Sequence, residues 1–107
     1  MSYQHAELAD GRWQTLSLAE QLGNIGGEVH RSALAEGKNV ERFLRARDRA
    51  LELFDLTLAD RRWRGRLREV ARARELFCDA STGRASYNTT LASLEKYFDQ
   101  FAVLARS

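Results

Sequence analysis

Between Arg61 and Glu75 the chain carries seven arginines, at 61, 62, 64, 66, 68, 72 and 74, against two acids, Glu69 and Glu75, a local balance of +5. The remaining residues hold ten basic and thirteen acidic side chains, so the arginines are concentrated in a protein whose net charge is only +2. A guanidinium is a planar fork that donates paired hydrogen bonds to phosphate, which makes arginine the favoured phosphate ligand. On a helical wheel Arg61, Arg64, Arg68 and Arg72 fall opposite Trp63, Leu67, Val70 and Phe77 and form one ridge. Together with Arg62 and Arg66, such a ridge would contact a nucleic-acid backbone without reading its sequence. The same residues would also serve as a solubilising face. Arg74 falls within the apolar stripe, either snorkelling or paired with Glu28 or Asp55.

Other chemistry is scarce. His5 and His30 have no ligand partners at metal spacing, and the Glu-x-x-His pairs of di-iron bundles do not occur. Gly23, Gly26 and Gly27 follow no strand, so they are no phosphate loop. Cys78 has no His or Lys activator near it in sequence, and Asp55 and Asp60 sit at a helix end where capping is the simpler role. The sequence therefore predicts no catalytic residue, no metal, no cofactor and no enzyme.

The elements that must position these residues are helices. The 107 residues contain no proline and few β-branched side chains. Ser17 and Glu20 form a capping box ahead of Leu18, Leu22, Ile25 and Val29, and Gly37 can end that helix in the left-handed conformation. A second segment runs from the N-cap Asn39 to about Ala59. Asp60 caps a third, with Trp63, Leu67, Val70, Ala73 and Phe77 on its apolar side. Ser81-Thr82-Gly83 reads as a turn, and a fourth segment from Asn88 or Thr89 carries Leu91, Leu94, Phe98, Phe101 and Ala105. Short connections make neighbouring helices antiparallel, so the expected fold is all-α, an up-down-up-down antiparallel four-helix bundle over residues 15–107. Residues 1–14 read as an N-terminal arm, frayed or pinned by Tyr3 and Trp13 to a neighbouring subunit. No run of residues is apolar enough to span a bilayer, Met1 to Arg12 is not a signal peptide, and the lone cysteine fits a cytoplasmic protein.

The first helix has a face of small residues, Ala19, Gly23, Gly26 and Gly27. Each mid-helix glycine costs about 1 kcal/mol relative to alanine, so a close backbone approach should offset it. That approach is either to the protein's own helices or to another subunit. Gln21, Asn24, Glu28 and Arg31 line a third, polar face, read as a hydrogen-bonded seam or as an ordinary solvated surface.

Three blocks carry a family resemblance: Leu18-Ala19-Glu20-Gln21-Leu22-Gly23-Asn24-Ile25-Gly26-Gly27-Glu28-Val29, then Arg49-Ala50-Leu51-Glu52-Leu53-Phe54-Asp55-Leu56-Thr57-Leu58-Ala59-Asp60, then Arg66-Leu67-Arg68-Glu69 with Arg74-Glu75. Over residues 17 to 105 the chain resembles a group of conserved hypothetical bacterial four-helix-bundle proteins. That group is related by fold to the proteins encoded in intervening sequences of large ribosomal RNA genes and to the accessory variability determinant of diversity-generating retroelements. The Asn-Ile-Ala-Glu-Gly block usual in the intervening-sequence proteins is absent; Asn24-Ile25-Gly26-Gly27 is its distant counterpart, and the relation to them is architectural. The resemblance implies a homopentamer and, through the retroelement member, a basic surface for nucleic acid. The expectation is a non-enzymatic homo-oligomer that binds RNA or DNA, or a nucleoprotein, through Arg61, Arg62, Arg64, Arg66, Arg68 and Arg72. The alternative is a structural or adaptor ring whose ligand is another protein.

Overall fold

A computed structural model of the protein describes residues 11–82 and 90–105, without the side chains of 102, 104 and 105. Tyr3, His5, Gly83, Asn88 and Thr89, named in the sequence analysis, lie outside the described residues. The described elements are all helical: α1 Leu18–Ala35, α2 Val40–Leu58, α3 Leu67–Thr82 and α4 Leu91–Ala105, with short 3-10 turns at Trp13–Thr15 and Arg61–Arg66. Helix α1 packs most extensively, against both α2 and α4.

The ends of these helices follow local chemistry. Ser17 and Glu20 complete the capping box: the Glu20 N–H donates to Ser17 Oγ at 3.1 Å, and the Ser17 N–H donates to Glu20 Oε1 at 2.9 Å. That backbone donor holds the Glu20 carboxyl below its ordinary pKa. Gly37 takes φ +74°, and the Lys38 and Asn39 N–H groups close onto the Ala35 carbonyl at 2.9 and 3.0 Å. The Asn39 side chain then accepts the Arg42 N–H at 3.0 Å and starts α2. Two boundaries differ from the sequence reading. Ser81 and Thr82 belong to α3, their hydroxyls bonded back to the Cys78 carbonyl. The third helix begins as a 3-10 turn because Trp63 sits at φ −102°, ψ 21°.

One apolar core joins all four helices. Phe54 of α2 is the hub, 5.9 Å between ring centroids from both Phe77 of α3 and Phe98 of α4. Ile25 and Val29 of α1 are fully buried beside them. Trp13 is also in this core, 1% exposed, with its indole N–H donating to Thr57 Oγ1 at 3.0 Å. Trp13, read as pinning an arm, is packed into its own fold, and the packed body reaches back to it.

The small face of α1 divides by position. A Cβ on Gly26 would lie 2.6 Å from Phe98 Cβ, so at Gly26 α1 and α4 approach too closely for a side chain. One turn on, His30 and Glu95 pair across the same two helices. Gly27 has no such neighbour: a Cβ there would meet only Arg31 Nη1, at 3.7 Å. Ala19 and Gly23 are half-buried. Replacing Gly26 with alanine should force α1 and α4 apart and destabilise the protein by about 1–3 kcal/mol in urea denaturation, despite the better helix propensity of alanine. A more stable Gly26→Ala variant would mean that this approach does not constrain the fold.

Candidate nucleic-acid interface

The Arg-rich segment is positioned by a buried polar network at the C-terminal end of α2. Asp60, 4% exposed, caps the 3-10 turn by accepting the Arg62 N–H at 3.1 Å. Its two carboxylate oxygens also take the Arg62 guanidinium, through Nε at 3.1 Å and Nη2 at 2.7 Å. Arg62 Nη2 donates in addition to the Leu16 carbonyl at 2.7 Å, and its guanidinium lies 4.3 Å over the Trp63 ring. The fully buried Gln21 ties this unit to α1. Its Nε2 donates to Asp60 Oδ2 at 3.1 Å and to the Trp13 carbonyl at 2.9 Å, while its Oε1 accepts the Trp63 indole N–H at 2.9 Å. The Arg62 guanidinium, helped by its own backbone N–H and Gln21, outweighs burial and holds the Asp60 carboxyl down at about 2, from an ordinary 3.8.

These contacts add a structural role to the sequence reading of Arg62. Grouped there with the phosphate-binding ridge, it stays exposed but spends part of its guanidinium on Asp60 and Leu16 and lies over Trp63, so it also has a structural role. The kink at Trp63 also breaks the single helical wheel, so Arg61 and Arg64 sit on the 3-10 turn while Arg68 and Arg72 sit on α3. The ridge is therefore two short arrays. Arg61, Arg64, Arg66, Arg68 and Arg72 are all exposed. Arg66 and Arg72 have loose neighbours in Glu69 and Glu75, at 3.6 and 3.4 Å, exposed pairs worth at most about 1 kcal/mol. Arg61, Arg64 and Arg68 have no acid partner among the described residues.

Two further expectations resolve in detail. Arg74 pairs with Asp55 through Nε at 3.0 Å, and Glu28 instead accepts Arg31 at 2.8 Å. The polar face of α1 is split: Gln21 and Glu28 are buried, Asn24 and Arg31 exposed. A second basic surface was missed. Arg31, Lys38, Arg42, Arg45 and Arg49 surround a groove of about 440 Å³ between the end of α1 and the start of α2. Its signal was the spacing of Arg42, Arg45 and Arg49 by three and four residues.

Among the described residues no group of three His, Cys, Asp or Glu side chains could hold a metal, and no helix is long and apolar enough to cross a membrane. In comparisons with known proteins, no family model, no curated protein and no solved structure matches the chain.

The Asp60 network makes a definite pH dependence. A carboxyl held at about 2 in the fold and at 3.8 when free stabilises the fold fully above pH 3.8 and loses that contribution as pH falls through about 2. Asp60→Asn should lower stability at pH 7 by about 1–3 kcal/mol and flatten the stability profile across that acid window. Urea titrations of both proteins between pH 2 and 7 check this; parallel profiles would contradict it.

Proposed function

We propose that this chain is a non-enzymatic, homo-oligomeric protein that binds nucleic acid through backbone phosphates. In this reading the four helices form an up-down-up-down antiparallel bundle, the bundles assemble as a pentamer in the cytoplasm, and Arg61, Arg64, Arg66, Arg68 and Arg72 meet RNA or DNA. The observation that carries it is the exposure of Arg61, Arg64 and Arg68 without an acid partner, on a segment locked in place by the Asp60 network. Unpaired guanidinium groups on a rigid base are available to phosphate at little ordering cost. The resemblance to the hypothetical bacterial bundle proteins, whose fold relatives include the retroelement accessory protein, points to the same ligand and the same assembly.

Assembly has its own support. Gly27 lies in the middle of α1, half-buried, and no backbone of its own fold approaches it among the described residues. A helix of a second copy would account for the missing Cβ. The adaptor-ring reading rests on a different observation: an apolar groove of about 370 Å³ between α3 and α4, lined by Ala73, Leu76, Leu94 and Tyr97.

Two measurements test these proposals. Binding to single-stranded RNA and DNA should weaken steeply with salt, and the triple variant Arg61→Gln/Arg64→Gln/Arg68→Gln should flatten the log–log salt slope by roughly 0.7 for each phosphate contact removed. No binding at low salt would leave the adaptor reading. Light scattering should give a mass several times 12.2 kDa, reduced in Gly27→Leu; a monomeric parent, or a variant of unchanged mass and stability, removes the assembly argument.

A further inference from the structure

The geometry points to a second anion site, independent of the nucleic-acid reading: the groove between the end of α1 and the start of α2 binds a chain of linked phosphates, free or carried by a nucleotide. Its size, about 440 Å³, falls within the range of small-ligand sites. Five cations line it, and no carboxylate does. Lys38, Arg42 and Arg45 are exposed and hold no ion pair among the described residues. Arg31 is held at one wall by the buried Glu28 carboxylate, so its charge is already balanced.

Part of the local hydrogen-bonding capacity around these cations is already filled by backbone and cap. Two carbonyls of the last turn of α1 are occupied: Ser32 accepts the Glu36 N–H, and Ala35 accepts the Lys38 and Asn39 N–H groups. The Arg42 N–H is taken by the Asn39 side chain, so the first turn of α2 offers that donor to its own cap. What remains is a cluster of like charges whose mutual repulsion disfavours the fold unless an anion relieves it. A ligand of one charge would leave most of that repulsion in place. A di- or triphosphate has the charge density to answer Lys38, Arg42 and Arg45 together, and the arginines can grip successive phosphates with paired hydrogen bonds.

The rest of the lining says what is not read. Leu34, 58% exposed, and Ala46 supply apolar surface, but no aromatic ring lines the groove. A nucleobase would have nothing to stack on, so recognition belongs to the phosphates. The groove lies at the opposite end of α2 from Asp60, so loss of the Arg61–Arg68 surface should not disturb it.

Isothermal titration calorimetry of the full chain with inorganic tripolyphosphate tests this. Saturable binding is expected, with ATP and GTP competing about equally well and AMP poorly. Arg42→Gln/Arg45→Gln should weaken binding at least about tenfold, the loss of a charge-assisted hydrogen bond, and Lys38→Gln by less. Helicity by circular dichroism should be unchanged, since all three side chains are exposed. Arg61→Gln/Arg64→Gln/Arg68→Gln should bind tripolyphosphate as the parent does, whatever it does to nucleic acid. Absence of saturable binding, full affinity in Arg42→Gln/Arg45→Gln, AMP binding as tight as tripolyphosphate, or a site that takes ATP but not tripolyphosphate would each overturn the proposal.

Discussion

The side-chain amide of Gln21 is where three stretches of the chain meet: its own helix, Trp13, and the turn from Asp60 to Trp63. One buried side chain, on the second turn of α1, touches the Trp13 carbonyl, the Asp60 carboxylate and the Trp63 indole. A buried amide without partners costs several kcal/mol, so each of these groups must stay where it is. The end of α2, the turn at Arg61–Arg66 and the entry into α1 are therefore not free to move separately. Arg62 closes the arrangement by bonding Asp60 and Leu16 at once. The exposed arginines beyond it inherit a defined position from groups that never touch a ligand.

The apolar core alone would permit other solutions at this end. Leu22, Leu53 and Val70 fix which faces turn inward, and hydrophobic burial is tolerant of small shifts. Hydrogen bonds are directional, so the network converts a generic helix packing into a particular register. Gly26 does the corresponding work at the α1–α4 contact, where the missing Cβ sets how near Phe98 can come. One contact is polar and one is steric, and both are on α1, the helix that packs most extensively on its neighbours.

Signals that act within a few residues were legible in the sequence. The capping box at Ser17, the cap at Asn39, the glycine stop at Gly37 and the cap at Asp60 are local interactions, and the structure places each where its residue type directs. The four helices follow from the recurrence of apolar residues at three and four. What was not legible depends on partners far along the chain. Nothing adjacent to Gln21 says that it is buried, because its partner Trp63 is 42 residues away. The same holds for Trp13, whose indole finds Thr57. The kink at Trp63 follows from those distant bonds, and it is why a single wheel over residues 61–72 overstated the continuity of the ridge. The groove at Lys38, Arg42 and Arg45 needed α1 and α2 brought side by side before its cations could be seen as one cluster.

A net charge of +2 understates how positive this surface is. Many carboxylates are already engaged: Glu20 in its capping box, the buried Glu28 and Asp60 with Arg31 and Arg62, Asp55 with Arg74 and Glu95 with His30. An acid used this way neutralises one partner and projects little field outward. Lys38, Arg42, Arg45, Arg61, Arg64 and Arg68 are left without acid partners among the described residues, the first three around the start of α2, Arg61 and Arg64 on the turn after it and Arg68 on α3. At 0.15 M salt like charges repel within about 8 Å, and these cations have no acid beside them among the described residues to offset it. Solubility asks only for charge of either sign spread over the surface, and the exposed acids Glu36, Glu41 and Asp99 already contribute to that. Exposed cations without acid partners, in a fold whose carboxylates are largely committed elsewhere, are the arrangement that a polyanion stabilises.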